Sequence, residues 1–295
     1  YLMGTLVSLS VALGIPSESV PVGIIWLLAF LGGMLAGALW GAIPGLLKAL
    51  LNINEVLACI MTNWIAANLV TWMFDISSFK NVTEGTKSGY IYKTTFNGVA
   101  TPKLGLDQLF PGSQVNAGIL VAIILAIVVY IIMEKTVFGY ELKAVGLNKS
   151  AARYAGINEK KNIILSMAIA GALAGFGAGL YYLSNVSQWN PLNSTSLPAM
   201  GFNGISVALL ASSNPIGTIF SAIFISHISV GGSFLSTKYY PTEISDLISG
   251  IIIYLCAFSM LFRGKIHSML FKNADKTNVN AEPAPAKTET KKEGK

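Results

Sequence analysis

The sequence predicts an all-α fold, a polytopic bundle of membrane-spanning helices that includes one broken, re-entrant pair, and three observations carry that prediction. Of the 295 residues, 53% are hydrophobic and only 12% are charged, whereas a soluble domain carries roughly 25% charge. Several uncharged runs reach the roughly 20 residues that a helix needs to cross a hydrocarbon core. The basic residues are sorted by loop: fifteen of the twenty Lys and Arg fall on one side of the spans, as membrane topology requires. A single soluble helical core is excluded, because runs this long leave too little polar surface to keep it in solution.

The elements follow in order. The stretch from Tyr1 to Ile15 is already apolar, with no initiator Met or basic leader before it, so the chain reads as a fragment whose N-terminal portion is missing. A first complete span is expected over 22–47, closed by Lys48, and a second over 54–74, with the turn Leu51-Asn52-Ile53-Asn54 between them. The polar segment 75–114 is expected as an exposed loop, with alternation around Tyr90-Ile91-Tyr92 that fits a small hairpin or lid. A span over 116–133 precedes a charged connector, 134–161, with helical spacing near Ser150 to Tyr154. Another span covers 162–183, followed by a Ser/Asn/Pro-rich link, 184–198.

Two apolar halves, 199–211 and 216–230, flank Ser212-Ser213-Asn214-Pro215. Each is expected to fall short of a crossing, the pattern of a discontinuous pair. A last span is expected over 244–262, and the Lys/Glu/Pro/Ala tail 272–295 is too polar to fold alone. The chain thus divides into a membrane domain, 1–271, and a disordered tail, 272–295. The basic side, which carries the 134–161 connector and the tail, is expected in the cytoplasm.

Enzymatic and nucleic-acid chemistry find no support. Cys59 and Cys256 lie in apolar runs and read as small hydrophobes. No His/Cys spacing suits a metal, and no nucleophile triad is present, so no catalytic residue, metal or cofactor is expected in this chain. Gly85-Thr86-Lys87-Ser88 imitates only the end of a phosphate-binding loop. Gly175, Gly177 and Gly179 follow no strand, which excludes a dinucleotide fingerprint, and His227 in an apolar half-helix reads as a packing residue. The basic residues form no stripe with interleaved aromatics, against a nucleic-acid partner.

Three features remain to carry mechanism. Gly33, Gly37, Gly41 and Gly45 recur every fourth residue, as do Gly171, Gly175 and Gly179. Such stripes let helix backbones approach closely in lipid, either as static packing or as smooth faces that slide. Polar and aromatic groups inside spans face a cavity or each other: Asn63, Trp64 and Asn68 on one helix, and Asn203 and Ser206 on the first broken half, are candidates to line a solute path, or the amides tie helices together. Glu55, at the start of its helix, is accounted for by the helix dipole.

The third feature is the segment Gly139 to Asn162, GYELKAVGLNKSAARYAGINEKKN. Leu147, Ala151, Ala152 and Ala155 form a small apolar set among Lys149, Arg153, Lys160 and Lys161, bounded by Gly146 and Gly156. A short helix docking into a groove on a cytosolic partner needs this composition, small side chains to insert and charges to orient it.

These residues resemble the coupling loop of the permease subunits of ATP-binding-cassette importers for simple sugars and nucleosides. Two further blocks agree with the resemblance: GLLKALLNINEVLACIMTNWIA from Gly45 to Ala66, and GFNGISVALLASSNPIG from Gly201 to Gly217. It covers about 27–262 and is closest in wording to the nucleoside importers; the family's expected acidic form of the Gly-Phe block is Asn203 here. The resemblance implies a cytoplasmic coupling helix in which Leu147, Ala151, Ala152, Arg153 and Gly156 contact a cytosolic ATPase subunit. It also implies a second permease chain, identical or related, an extracytoplasmic solute-binding protein, a place in the cell membrane, and ATP used by the partner alone. An ion-coupled secondary transporter is the alternative reading, but it needs buried carboxylates that the spans almost entirely lack.

Overall fold

The computed structural model of the chain describes residues 1–15, 20–77, 79–86, 89–92, 101–103, 108, 115–184, 189 and 199–234, together with nine residues between 244 and 258. The expected tail 272–295, most of the link 184–198 and much of the expected last span lie outside the described residues. The nine described residues between 244 and 258 are helical. Two compact units are present: one is 1–202 with 214–219, the other takes in 203–213 and the described residues from Phe220 onward.

The first unit opens with α1 (Leu2–Gly14), α2 (Val22–Leu51) and α3 (Glu55–Ile76). A two-stranded antiparallel hairpin follows, β1 (Lys80–Thr86) with β2 (Gly89–Tyr92), pairing Asn81 with Ile91. This is the hairpin that the Tyr90-Ile91-Tyr92 alternation suggests. Next come α4 (Gly118–Lys135), α5 (Val137–Leu147), α6 (Lys149–Tyr154) and α7 (Glu159–Tyr182). Then come α8 (Ala199–Leu210) and α9 (Pro215–Ser233), ahead of the helical residues between 244 and 258. Among the described residues, α2, α3, α4, α7 and α9 are long and apolar enough to cross a membrane.

Two expectations change. The half-helix 216–230 is not short: α9 runs 19 residues, because Asn214 caps it through Ile216 N (2.9 Å) and Gly217 N (3.2 Å) and neither Gly231 nor Gly232 ends it. Only α8, at 12 residues, is too short to cross. It ends where Ser212 and Ser213 take left-handed backbone, φ 50° and 59°, with Ser213 N donating to the Ala208 carbonyl at 2.8 Å. The charged connector, expected to be helical only near 150–154, contains an 11-residue helix, α5, ahead of α6.

The core of the first unit is a seam of backbones. The four-residue glycine stripes of α2 and α7 face each other, and α1 closes on both. A Cβ built on Gly37 would overlap the Gly171 carbonyl; one on Gly175 would overlap the Gly33 carbonyl; one on Gly41 would lie 2.6 Å from the Met167 carbonyl oxygen. Gly4 of α1 comes as close, its Cβ position falling 3.0 Å from the Gly33 carbonyl oxygen. Ser8 Oγ donates to the Ala29 carbonyl at 2.9 Å, so this buried hydroxyl is satisfied across the α1–α2 contact. Gly177, off the stripe, meets nothing within 4 Å. The stripes are therefore the packing surface that small residues make in lipid.

At the end away from Lys48 the seam widens into aromatics. Phe30 packs against Trp26 and Phe176, ring centroids 4.3 and 5.1 Å away, while Leu9, Ile25, Val70, Phe74 and Leu183 are fully buried around them. The long loop is tied here: Thr101 N donates to the Leu183 carbonyl at 2.9 Å and Ala117 N to that of Pro102 at 3.0 Å.

Asparagines punctuate the Lys-rich end. Asn52 ends α2 in left-handed backbone, φ 52°; Asn54, Asn148 and Asn158 cap α3, α6 and α7 by accepting from Val56, Ala151 and Lys161 N. Short side-chain oxygens suit these positions because they satisfy amides that no turn of helix serves. Replacing Asn158 by Ala is expected to cost about 1 kcal/mol of stability, read as a lowered thermal midpoint of the full-length protein in detergent, with Asn158→Asp close to wild type.

Candidate functional site

The segment singled out in the sequence forms a folded platform at the Lys-rich end. Thr136 ends α4 and starts α5: its hydroxyl donates to the Ile132 carbonyl at 2.6 Å and accepts from Gly139 N at 3.1 Å. Gly139 is required there, since a Cβ would overlap the Ile132 and Met133 carbonyls. Lys143 Nζ, 2.5 Å from Glu134 Oε1, fastens the middle of α5 to the end of α4.

α6 is a turn and a half of helix held at both ends. Asn148 caps its start, and Gly156, at φ +81°, supplies the left-handed residue that lets Ile157 N reach back to the Ala152 carbonyl at 3.0 Å. Of the five docking candidates, Leu147 is 89% exposed, and Ala151, Arg153 and Gly156 are exposed. Ala152 is buried, 3% exposed, so it packs beneath the helix and presents nothing outward. Tyr154, not among those candidates, is 99% exposed. The signal for it was a large ring in a loop of small and charged residues. Arg153 Nη1 is 3.9 Å from Glu159 Oε1, an open ion pair of little energetic weight.

Beneath the platform lies Asn162, in the first turn of α7 and 2% exposed. Its Nδ2 donates to Glu141 Oε2 and to the Asn158 carbonyl, both at 3.1 Å, and its Oδ1 has no partner. A cleft of about 280 Å³ opens beside it, lined by Lys48, Glu55, Val145, Lys149, Asn162 and Met167. Lys48 Nζ lies 2.5 Å from Glu55 Oε2, so Glu55 holds an ion partner besides the helix N-terminus. The Glu141–Asn162 contact is not legible in the sequence, because it joins residues 21 apart, one of them on α5, which composition reads as a connector.

The solute-path candidates separate. Trp64, 45% exposed, and Asn68 share one face of α3, with Asn68 Nδ2 donating to the Trp64 carbonyl at 2.8 Å. Asn63 is turned about 100° from Trp64 by the helix. It falls on the arc of Ala67 and Val70, which are buried while Asn63 is exposed, so the packing of α3 opens at this level. Thr62 is buried and satisfied by the Ala58 carbonyl at 2.8 Å. In the second unit Asn203 is half-buried and Ser206 buried, three residues apart on α8; His227 on α9 is exposed. Among the described residues no group of His, Cys, Asp or Glu is placed to hold a metal ion.

Known proteins resemble this chain along most of its length. A nucleoside permease protein of Lactococcus lactis, NupB, is 37% identical over 241 residues, 78% of this chain and 62% of its own. The guanosine permease protein NupP of Bacillus subtilis is 32% identical over 249 residues, 84% of this chain and 69% of that one. A glucose permease protein of Haloferax volcanii, TsgB13, is 27% identical over 271 residues, 89% of this chain and 68% of its own. This chain thus spans between three-fifths and seven-tenths of the length of these relatives. No solved structure matches it. The model of one permease family matches residues 1–257, and with that extent the chain belongs to the branched-chain amino acid transport system / permease component family.

Proposed function

We propose that this chain is the membrane permease subunit of an ATP-driven importer that carries nucleosides, with hydrolysis performed by a separate cytosolic subunit. The observation that carries the reading is the platform around α6. Leu147, the last residue of α5, and Tyr154, the last of the short capped helix α6, are large side chains 89% and 99% exposed that stand outside the spans. Exposed anchors of this kind, ringed by small residues, fit a groove on a protein partner. Ala151, Arg153 and Gly156 complete the docking surface, and Ala152 supports it from within. The Lys-rich end is then cytoplasmic, and the opposite end, where Thr101 ties the long loop to α7, receives a solute-binding protein.

A second permease chain, identical or related, completes the pathway. Asn63, Trp64 and Asn68 on α3, with Asn203 and Ser206 on α8, supply amides for sugar hydroxyls and base edges and a ring on which a base can stack. Closure of the ATPase pair pulls on α5 and α6 and switches the spans between outward and inward access. The similarity to proteins named for nucleoside and guanosine transport supports the solute class.

The test is uptake of labelled purine nucleoside and of labelled ribose by cells carrying the full-length gene, a deletion, Arg153→Glu or Trp64→Ala. Nucleoside uptake is expected to vanish in the deletion and fall in Arg153→Glu without competition from excess ribose. Trp64→Ala is expected to weaken apparent solute affinity about tenfold, the loss of one base–ring stack. Ribose uptake falling instead would move the solute class, and no response from either solute would sink the transport reading.

A further inference from the structure

We propose that Glu141 and Asn162 are a positioning pair that carries motion from the docking platform into the membrane spans; this rests on the ATP-driven permease reading. The platform runs on from α4 at Thr136, and its ties to α7 are separate from that joint. Along the chain, α6 connects to α7 only through the turn at Gly156, whose left-handed backbone interrupts the helix. Across space, the Arg153–Glu159 pair is exposed and 3.9 Å long, too weak to bear a load. The cleft of about 280 Å³ leaves part of the space between α5 and α7 unfilled.

What joins α5 to α7 is a half-buried, charge-assisted hydrogen bond. Glu141 stands at the middle of α5, which Thr136 and the close packing of Gly139 join to α4. Its carboxylate receives the Asn162 amide at 3.1 Å, and Asn162 is 2% exposed. A hydrogen bond to a carboxylate is stronger than one between neutral groups, and the buried amide shelters this one on one side. Asn162 begins α7, and α7 meets α2 backbone to backbone at Gly171 and Gly175, where no side-chain layer can absorb displacement. A push on α6 therefore passes through Glu141 to Asn162, along α7, and into α2. The unpartnered Oδ1 leaves Asn162 without a second side-chain tie that would substitute for Glu141.

The experiment reconstitutes the full-length permease with its ATPase, second permease chain and binding protein in vesicles, and measures ATP hydrolysed and labelled nucleoside accumulated. Glu141→Ala and Asn162→Leu are expected to keep ATP hydrolysis while lowering nucleoside moved per ATP about tenfold, the equivalent of one hydrogen bond to a charged group. Glu141→Gln still offers a carbonyl oxygen to the amide and is expected to stay within about threefold of wild type. The proposal is overturned if both deletions of the contact keep the wild-type ratio, if Gln at 141 falls as far as Ala, or if the ATPase no longer co-purifies with the variants, which would make the pair part of assembly. A wild-type complex that hydrolyses ATP without uptake, or never binds an ATPase, would instead sink the transport reading itself.

Discussion

Gly37→Ala is expected to destabilise the full-length protein by about 3 kcal/mol, the upper range for overpacking a filled site. The added methyl lands on the Gly171 carbonyl, and a backbone atom in the middle of a helix cannot rotate aside as a side chain can. The helices must part along their length, which loses the contacts of Gly33 with Gly175 and of Gly41 with Met167 as well. Gly171→Ala meets the Gly37 carbonyl from the other side and should match it. Gly177→Ala makes the same chemical change on the same helix with nothing within 4 Å, and is expected to be neutral or to stabilise by up to about 1 kcal/mol through helix propensity. Thermal unfolding in detergent separates them; Gly37→Ala and Gly177→Ala melting together would remove the seam as the core of the unit.

The second large effect is expected at the platform and leaves stability alone. Tyr154→Ala should weaken association with the ATPase about thirtyfold, the cost of one aromatic anchor at an interface hot spot, and Leu147→Ala somewhat less. Neither should move the thermal midpoint, since 99% and 89% of these residues lie in solvent. Ala152→Leu is the contrasting case: at 3% exposure the larger side chain has no room below α6, so stability and association fall together. Titrating the purified ATPase onto permease variants in lipid discs reads this directly. Wild-type affinity in Tyr154→Ala would show that the partner does not sit on α6.

The span positions were legible in the sequence because they rest on length and absence of charge, quantities that need no knowledge of the partner helix. The boundaries moved by a few residues, for local reasons: α2 continues past Lys48 to Leu51 until Asn52 ends it, and α3 starts after its cap at Asn54. The glycine stripes were legible as faces, but which stripes meet depends on the arrangement of α2 and α7, which periodicity alone does not fix. α5 was missed since its apolar and charged residues are interleaved over barely three turns, so composition reads it as a connector. The half 216–230 reads as short of a crossing on its length alone; Gly231 and Gly232 are tolerated within α9, which carries it to Ser233. At the site, the sequence reads Ala152 as part of the outward set, whereas the structure buries it and leaves Tyr154 in solvent. Composition reports which residues are small, and only the helix phase decides which of them face inward.

The glycine seam has a consequence in entropy. Immobilising a long side chain costs up to about 2 kcal/mol, and a glycine has none to immobilise, so α2 and α7 close on each other without freezing a rotamer at the centre of the contact. No release of water drives the closure either, because both faces leave lipid. What remains is chiefly dispersion between atoms at touching distance, of which a gap of about 1 Å forfeits up to about half. A contact with that dependence is tightest only in register, and any partial parting of α2 and α7 weakens it along the whole seam.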